Sequence, residues 1–145
     1  GTVLNAAQAA RVIDAGARFI VTPGFSLDVV RHCQARSVPV FPGIATATEL
    51  MAALEAGIET VKFFPAGQIG GLPMLKALAA PFGMAKFIPT GGVSAANLAD
   101  YLAHPAVAAA GGSWMVAPSL IKAGDFDQIT KLTAEAVGIA AGGRE

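Results

Sequence analysis

Five short β-rich runs set the main constraint on this chain: each closes on proline or glycine, and each leads into a stretch of helical spacing. They are RFIVTPG (18–24), VPVFPG (38–43), TVKFFPAG (60–67), KFIPTGG (86–92) and AVAAAGG (106–112), and GTVL (1–4) reads as the tail of a sixth. Helical periodicity is expected near 6–15, 26–36, 47–56, 72–80, 95–103 and 126–141. The helix starts are well marked. Thr46 with Glu49 has the spacing of a capping box, Asn5 with Gln8 is a similar pair, and Ser26 and Ser94 fit N-caps. DAGARFI (14–20) and EAGIETVKF (55–63) both set a glycine between a helix and a strand, which makes them an internal repeat. Strand, helix and strand joined by short loops imply parallel strands with right-handed crossovers, and unbroken apolar strands imply that both sheet faces are covered. That leaves a doubly wound open sheet or a barrel. Neither TPGFSLD (22–28) nor PAGQIGG (65–71) has GxGxxG spacing, and no acidic residue closes a following strand, so the barrel is expected. A (β/α)8 barrel typically takes roughly 200 to 250 residues. With 145 residues, the chain is expected to form a single domain over 1–145 that covers about strands 3 to 8, and to lack about two and a half N-terminal units.

Composition narrows the partners. Hydrophobic residues make up 54% and charged residues 14%, with ten basic side chains against ten acidic. That balance leaves no electrostatic footprint for nucleic acid or an anionic membrane. A small molecule or another copy of the chain is the expected partner, since so few charges cover a small domain poorly. The single cysteine, Cys33, excludes an internal disulfide and a thiolate cluster, and no apolar run reaches membrane-spanning length. A cytoplasmic protein is expected. The chain begins Gly-Thr-Val and shows no targeting pattern, so it reads as a piece of a longer product.

Lys62 stands out chemically because it interrupts an apolar strand. A buried ammonium is costly unless it is paired or loses its proton. Side chains alternate along a strand, so Thr60, Lys62 and Phe64 share one face, while the apolar Val61 and Phe63 share the face expected against the helices. Lys62 then points into the barrel mouth beside an aromatic ring, where desolvation leaves part of it as a neutral, nucleophilic amine. Such an amine can attack a ketone to form a Schiff base, an electron sink for carbon–carbon bond chemistry. A lysine that snorkels to the strand end or pairs with a carboxylate is the structural alternative. Lys76, Lys122 and Lys131 fall on helices or loops, and Lys86 opens its strand at the opposite face.

Active sites of barrels sit at the C-terminal strand ends, where Thr2, Pro23, Pro42, Thr90 and the pairs Gly91/Gly92 and Gly111/Gly112 also fall. The two glycine pairs bare backbone amides ahead of Ser94 and Trp114; either pair alone is read first as a tight turn, but two pairs at consecutive strand ends point to a phosphate or carboxylate. His32, Cys33 and His104 lack ligand or triad spacing and read as structural, so no metal is expected. Glu49, Asp125 and Asp127 read as helix caps. None of the ten acidic residues falls at the C-terminal end of a strand, so the proton shuttle that Schiff-base chemistry needs is not seen.

Taken together, GTVLN (1–5), VTPG (21–24), FPGIATATEL (41–50), VKFFPA (61–66), PTGGVS (89–94), GGSW (111–114) and GDFDQIT (124–130) resemble the class I KDPG/KHG aldolases. KDPG is 2-keto-3-deoxy-6-phosphogluconate. The resemblance implies a trimeric (β/α)8 barrel that cleaves KDPG to pyruvate and glyceraldehyde 3-phosphate with no cofactor or metal. It makes Lys62 the Schiff-base lysine and places Thr2 on the pyruvate carboxylate. It also puts Pro23, Phe64 and Thr90 around the pyruvate, and Gly91, Gly92, Gly112 and Ser113 around the phosphate. The family segment that carries the catalytic glutamate and the carboxylate-binding arginine has no counterpart here. Two alternatives therefore stand: an aldolase represented by its C-terminal two thirds, or a non-catalytic scaffold whose exposed edges serve assembly. A related 2-keto acid such as 4-hydroxy-2-oxoglutarate is the alternative substrate.

Overall fold

The structure is a computed structural model that describes residues 2–142. Gly1, at the head of the expected strand tail, and residues 143–145 of the expected domain lie outside the described residues. The chain is α/β. Its elements run α1 (Ala6–Asp14), β1 (Ile20–Val21), α2 (Leu27–Ala35), β2 (Val40–Phe41), β3 (Gly43–Ile44), α3 (Ala47–Glu55), β4 (Thr60–Phe63), α4 (Gly71–Ala79), β5 (Lys86–Pro89) and α5 (Ala95–Leu102). A 3-10 turn (Trp114–Val116), α6 (Pro118–Ala123) and α7 (Phe126–Gly142) follow.

The caps behave as their chemistry requires. The Glu49 carboxylate accepts from the Thr46 amide at 2.9 Å while the Thr46 hydroxyl accepts from the Glu49 amide at 3.3 Å, closing the box that starts α3. The Asn5 side chain accepts from the Gln8 amide at 2.9 Å, and the Ser26 hydroxyl from the Val29 amide at 3.4 Å. At α5 the Asn97 carbonyl oxygen accepts from the Ser94 amide at 2.8 Å.

All strand pairs are parallel, with Ile20 opposite Val40, Gly43 opposite Lys62, and Lys62 opposite Ile88. Pro42 separates β2 from β3, yet its carbonyl accepts from the Lys62 amide at 2.8 Å, so the two are halves of one broken strand. On one flank the Val3 amide donates to the Val21 carbonyl at 3.3 Å; on the other, bridges join Phe87 to Val107 and Thr90 to Gly111. Six segments therefore lie side by side in chain order. A doubly wound sheet reverses its order at the centre, and none of these pairings does so.

One expectation needs correction, and one stretch carries structure that no sequence signal marked. The run 106–112 makes only isolated bridges, because Ala-Ala-Ala-Gly-Gly has no side chains that favour a strand after Val107. The stretch 113–123 holds the 3-10 turn and α6, which starts with Pro118 at its first position; this helix is too short to show a period in sequence.

Alternation along β4 sets the two environments that matter. Val61 and Phe63 are fully buried against the helices, where Phe63 meets Phe87 edge-on at 6.5 Å between centroids in a cluster with Leu50, Leu75 and Leu98. A second cluster joins Ile20, Val29, Val30, Cys33 and Val40. Phe63→Ala is expected to lower unfolding stability by about 3–5 kcal/mol and Thr46→Ala by about 1 kcal/mol; urea titrations of both variants check the order.

Candidate active site

Lys62 sits one residue before the end of β4, flanked by Gly43 and Ile88 on the neighbouring strands. It is half-buried, and its Nζ lies 4.1 Å from the centroid of the Phe64 ring. Among the described residues it has no carboxylate partner: the ion pair found there joins Arg36 to Asp14 at 2.6 Å. Burial therefore acts unopposed by a counter-charge and pushes the Lys62 ammonium below its ordinary value of 10.5. The Phe64 face works weakly the other way, since a π face attracts a cation. The other lysines differ. Lys86 is exposed and donates to the Pro105 carbonyl at 3.0 Å, and Lys76, Lys122 and Lys131 are exposed on helices.

Beside Phe64 opens a cavity of about 320 Å³, lined by Phe64, Thr90, Gly91, Gly92, Val93, Gly111, Gly112 and Ser113. Gly91 and Gly92 adopt φ of 88° and 78°, the left-handed region that glycine enters at no steric cost. A methyl group on Gly91 would stand 3.5 Å from the Phe64 ring, and one on Gly111 would stand 2.8 Å from the Thr90 hydroxyl. The amides of Gly91, Gly92, Val93, Gly112 and Ser113 find no acceptor among the described residues. Five N–H groups without an acceptor among the described residues border this cavity, donors of the kind that suit an anion.

The residues singled out in sequence do not all meet there. Phe64, Thr90, Gly91, Gly92, Gly112 and Ser113 share the cavity, and Lys62 joins it through Phe64. Thr2 is exposed and lines a crevice against Val12 of α1 and Ala15 at its C-cap. Pro23 packs its carbonyl onto the Cα of Gly43, the residue opposite Lys62. The sequence alone does not single out Thr22. It is buried, donates to the Gly24 carbonyl at 2.7 Å and accepts from the Gly43 amide at 3.4 Å, tying the Thr-Pro-Gly turn to the strand beside Lys62. A threonine just ahead of Pro-Gly at a strand end was the available signal. A larger groove, about 420 Å³, lies between α2 and α3 beside Arg31 and Glu55 and involves none of these residues.

No carboxylate lines the cavity. Glu49 is occupied by its cap, Asp125 accepts from the Gln128 amide at 3.1 Å, and the Nδ1 of His104 accepts from the Ala106 amide at 3.2 Å. Among the described residues no three His, Cys, Asp or Glu side chains gather as a metal site, and no helix is long and apolar enough to cross a membrane.

Parallel strands in chain order, a desolvated lysine at a strand end and free amides lining the cavity beside it define a lysine-centred site on an α/β scaffold. The sequence profile of the KDPG and KHG aldolase family matches residues 1–132, and the chain belongs to that family. It is 53% identical over 139 residues to the 2-dehydro-3-deoxy-phosphogluconate aldolase of Treponema pallidum, covering 96% of this chain and 66% of the relative. The crystal structure of the Zymomonas mobilis ZM4 2-keto-3-deoxy-6-phosphogluconate aldolase with 3-phosphoglycerate is 40% identical, with a TM-score of 0.88 over 94% of this chain and 64% of that one. The Legionella pneumophila KDPG aldolase, with pyruvate captured as a covalent carbinolamine, is also 40% identical, with a TM-score of 0.87 over 96% of this chain and 65% of that one. The chain thus spans just under two thirds of the relatives it matches.

Desolvation of Lys62 fixes the sign of a pH effect. Its folded-state pKa lies below the unfolded value of 10.5, so the unfolded chain holds more protons in that window and stability rises with pH through it. Lys62→Met is expected to raise the urea midpoint at pH 7, with the gain shrinking as pH approaches 10.5; midpoints measured across that range check it.

Proposed function

We propose that this chain carries the imine-forming and phosphate-binding part of a class I aldolase that cleaves KDPG to pyruvate and glyceraldehyde 3-phosphate. The observation that carries the reading is the half-buried Lys62, without a carboxylate partner among the described residues, next to a cavity ringed by free amides. The order of the six parallel segments supports placing the chain at about strands 3 to 8 of a (β/α)8 barrel, as one domain.

In this mechanism the neutral amine of Lys62 adds to the C2 ketone of KDPG, and the carbinolamine loses water to give an iminium ion. Loss of the C4 hydroxyl proton breaks the C3–C4 bond; the electron pair flows into the iminium and leaves an enamine, while C4 departs as the aldehyde of glyceraldehyde 3-phosphate. Protonation at C3 and addition of water to the resulting iminium release pyruvate and restore the amine. Because no carboxylate lines the cavity, the C4 proton goes to water or to a group outside the described residues. Thr2 is assigned to the pyruvate carboxylate, Pro23, Phe64 and Thr90 to the walls of the pyruvate pocket, and Gly91, Gly92, Gly112 and Ser113 to the phosphate. Relatives are described with pyruvate as a covalent carbinolamine and with 3-phosphoglycerate, which supports a site with a keto-acid end and a phosphate end. A cytoplasmic homotrimer acting in the Entner-Doudoroff route completes the reading, and exposed apolar residues such as Leu4, Phe19 and Met51 support association.

Pyruvate release from KDPG, coupled to lactate dehydrogenase, tests this. The reading predicts release that falls to the uncatalysed background in Lys62→Ala. It also predicts a preference for KDPG over 4-hydroxy-2-oxoglutarate of tenfold or more, since one charge-assisted hydrogen bond is worth about 1.5–3 kcal/mol. Release unchanged in Lys62→Ala would overturn it.

A further inference from the structure

One aromatic residue next to the amide ring has no part in the chemistry above. Trp114, the single tryptophan of the chain, opens the 3-10 turn two residues after Gly112. Its six-membered ring lies directly on the Cα of Gly112, so that a methyl group built there would fall among Cζ3, Cε3 and Cη2. The ring also packs on the main apolar cluster, and the turn packs against α7. Its indole N–H is buried and has no acceptor among the described residues, so contact alone, and no hydrogen bond, sets the position of the ring. On the strand side, Gly111 is held by its amide, which donates a hydrogen bond to the Pro89 carbonyl at 2.9 Å, and by the Thr90 side chain.

The peptide that presents the free amides of Gly112 and Ser113 is therefore gripped from two sides, by the strand through Gly111 and by the Trp114 ring through Gly112. Free amides bind an anion well only when their directions are fixed before it arrives; a loop that must first be ordered loses affinity to that ordering. We propose that Trp114 is the positioning residue of the phosphate end of the site, pressing Gly112 so that two of the five amides converge on the anion. This deepens the aldolase reading and rests on its phosphate assignment. It also gives Gly112 a specific reason to be glycine. Its φ lies outside the left-handed region, so the backbone would accept alanine, and the ring is what forbids a side chain.

The test titrates the chain with inorganic phosphate while following the amide NMR shifts of Gly91, Gly92, Gly112 and Ser113. Imine formation at Lys62 is measured in parallel by borohydride trapping with pyruvate. Trp114→Ala is expected to weaken phosphate binding tenfold or more and to change the trapping rate less than twofold, a split that general destabilisation would not produce. Trp114→Phe loses no hydrogen bond but lacks the outer ring that rests on Gly112, so its phosphate affinity is expected to fall between that of the unaltered chain and that of Trp114→Ala. Gly112→Ala, which keeps the tryptophan but displaces it, is expected to weaken phosphate as Trp114→Ala does and to shift the fluorescence of Trp114 to longer wavelength. Should Trp114→Ala fail to fold, the last two variants decide the matter by the same comparison. Phosphate affinity equal to that of the unaltered chain in Trp114→Ala or Gly112→Ala, with trapping intact, would overturn this proposal alone. Failure of the unaltered chain to form the imine would count against the aldolase reading instead.

Discussion

A lysine whose side chain leaves an apolar parallel strand among neighbouring strands is in a poor place for a charge. Water is displaced by Phe64 and by the flanking strands of Gly43 and Ile88, and no carboxylate among the described residues compensates. The energy lost by the ammonium is what makes the amine available. The rest of the site follows from this constraint. β4 can hold a polar residue only on the face turned from the helices, and that face is available because Val61 and Phe63 bury the opposite one completely. The packing that stabilises the fold thereby also sets the direction of the Lys62 side chain.

Phe64 links the two ends of the site. One part of its environment is the Lys62 amine at 4.1 Å; another is the backbone of Gly91, the first residue of the amide ring. The Lys62 amine and the Gly91 backbone therefore both adjoin one aromatic ring. Glycine is needed at 91 and 92 for two separate reasons: the backbone turns through positive φ, and Gly92 approaches Gly67 so closely that a methyl group would stand 3.0 Å from its Cα.

Much of this was legible in the sequence because it depends on short-range rules. The alternation of Val61, Lys62 and Phe63 assigned the faces of β4, the spacing of Thr46 and Glu49 gave the start of α3, and the Gly-Gly pairs marked where amides would be bare. What could not be read depends on contacts between distant parts of the chain or on weak local signals. The break of one strand into β2 and β3 at Pro42, the loss of regular pairing after Val107 and the short α6 belong to the second kind. The placement of Thr2 beside α1, the bond from Thr22 to the turn and the lock between Trp114 and Gly112 belong to the first. The Trp114 contact spans only two residues in sequence, yet it depends on where α7 and the core hold the indole.

The claim on which the account turns is that Lys62, among the five lysines of the chain, is the amine that meets a 2-keto acid. Peptide mapping after incubation with pyruvate and borohydride tests it most directly. The account predicts a single reduced pyruvyl group, on the peptide that contains Lys62. An adduct on Lys76, Lys86, Lys122 or Lys131 instead, or none at all on a chain shown to be folded, would contradict it.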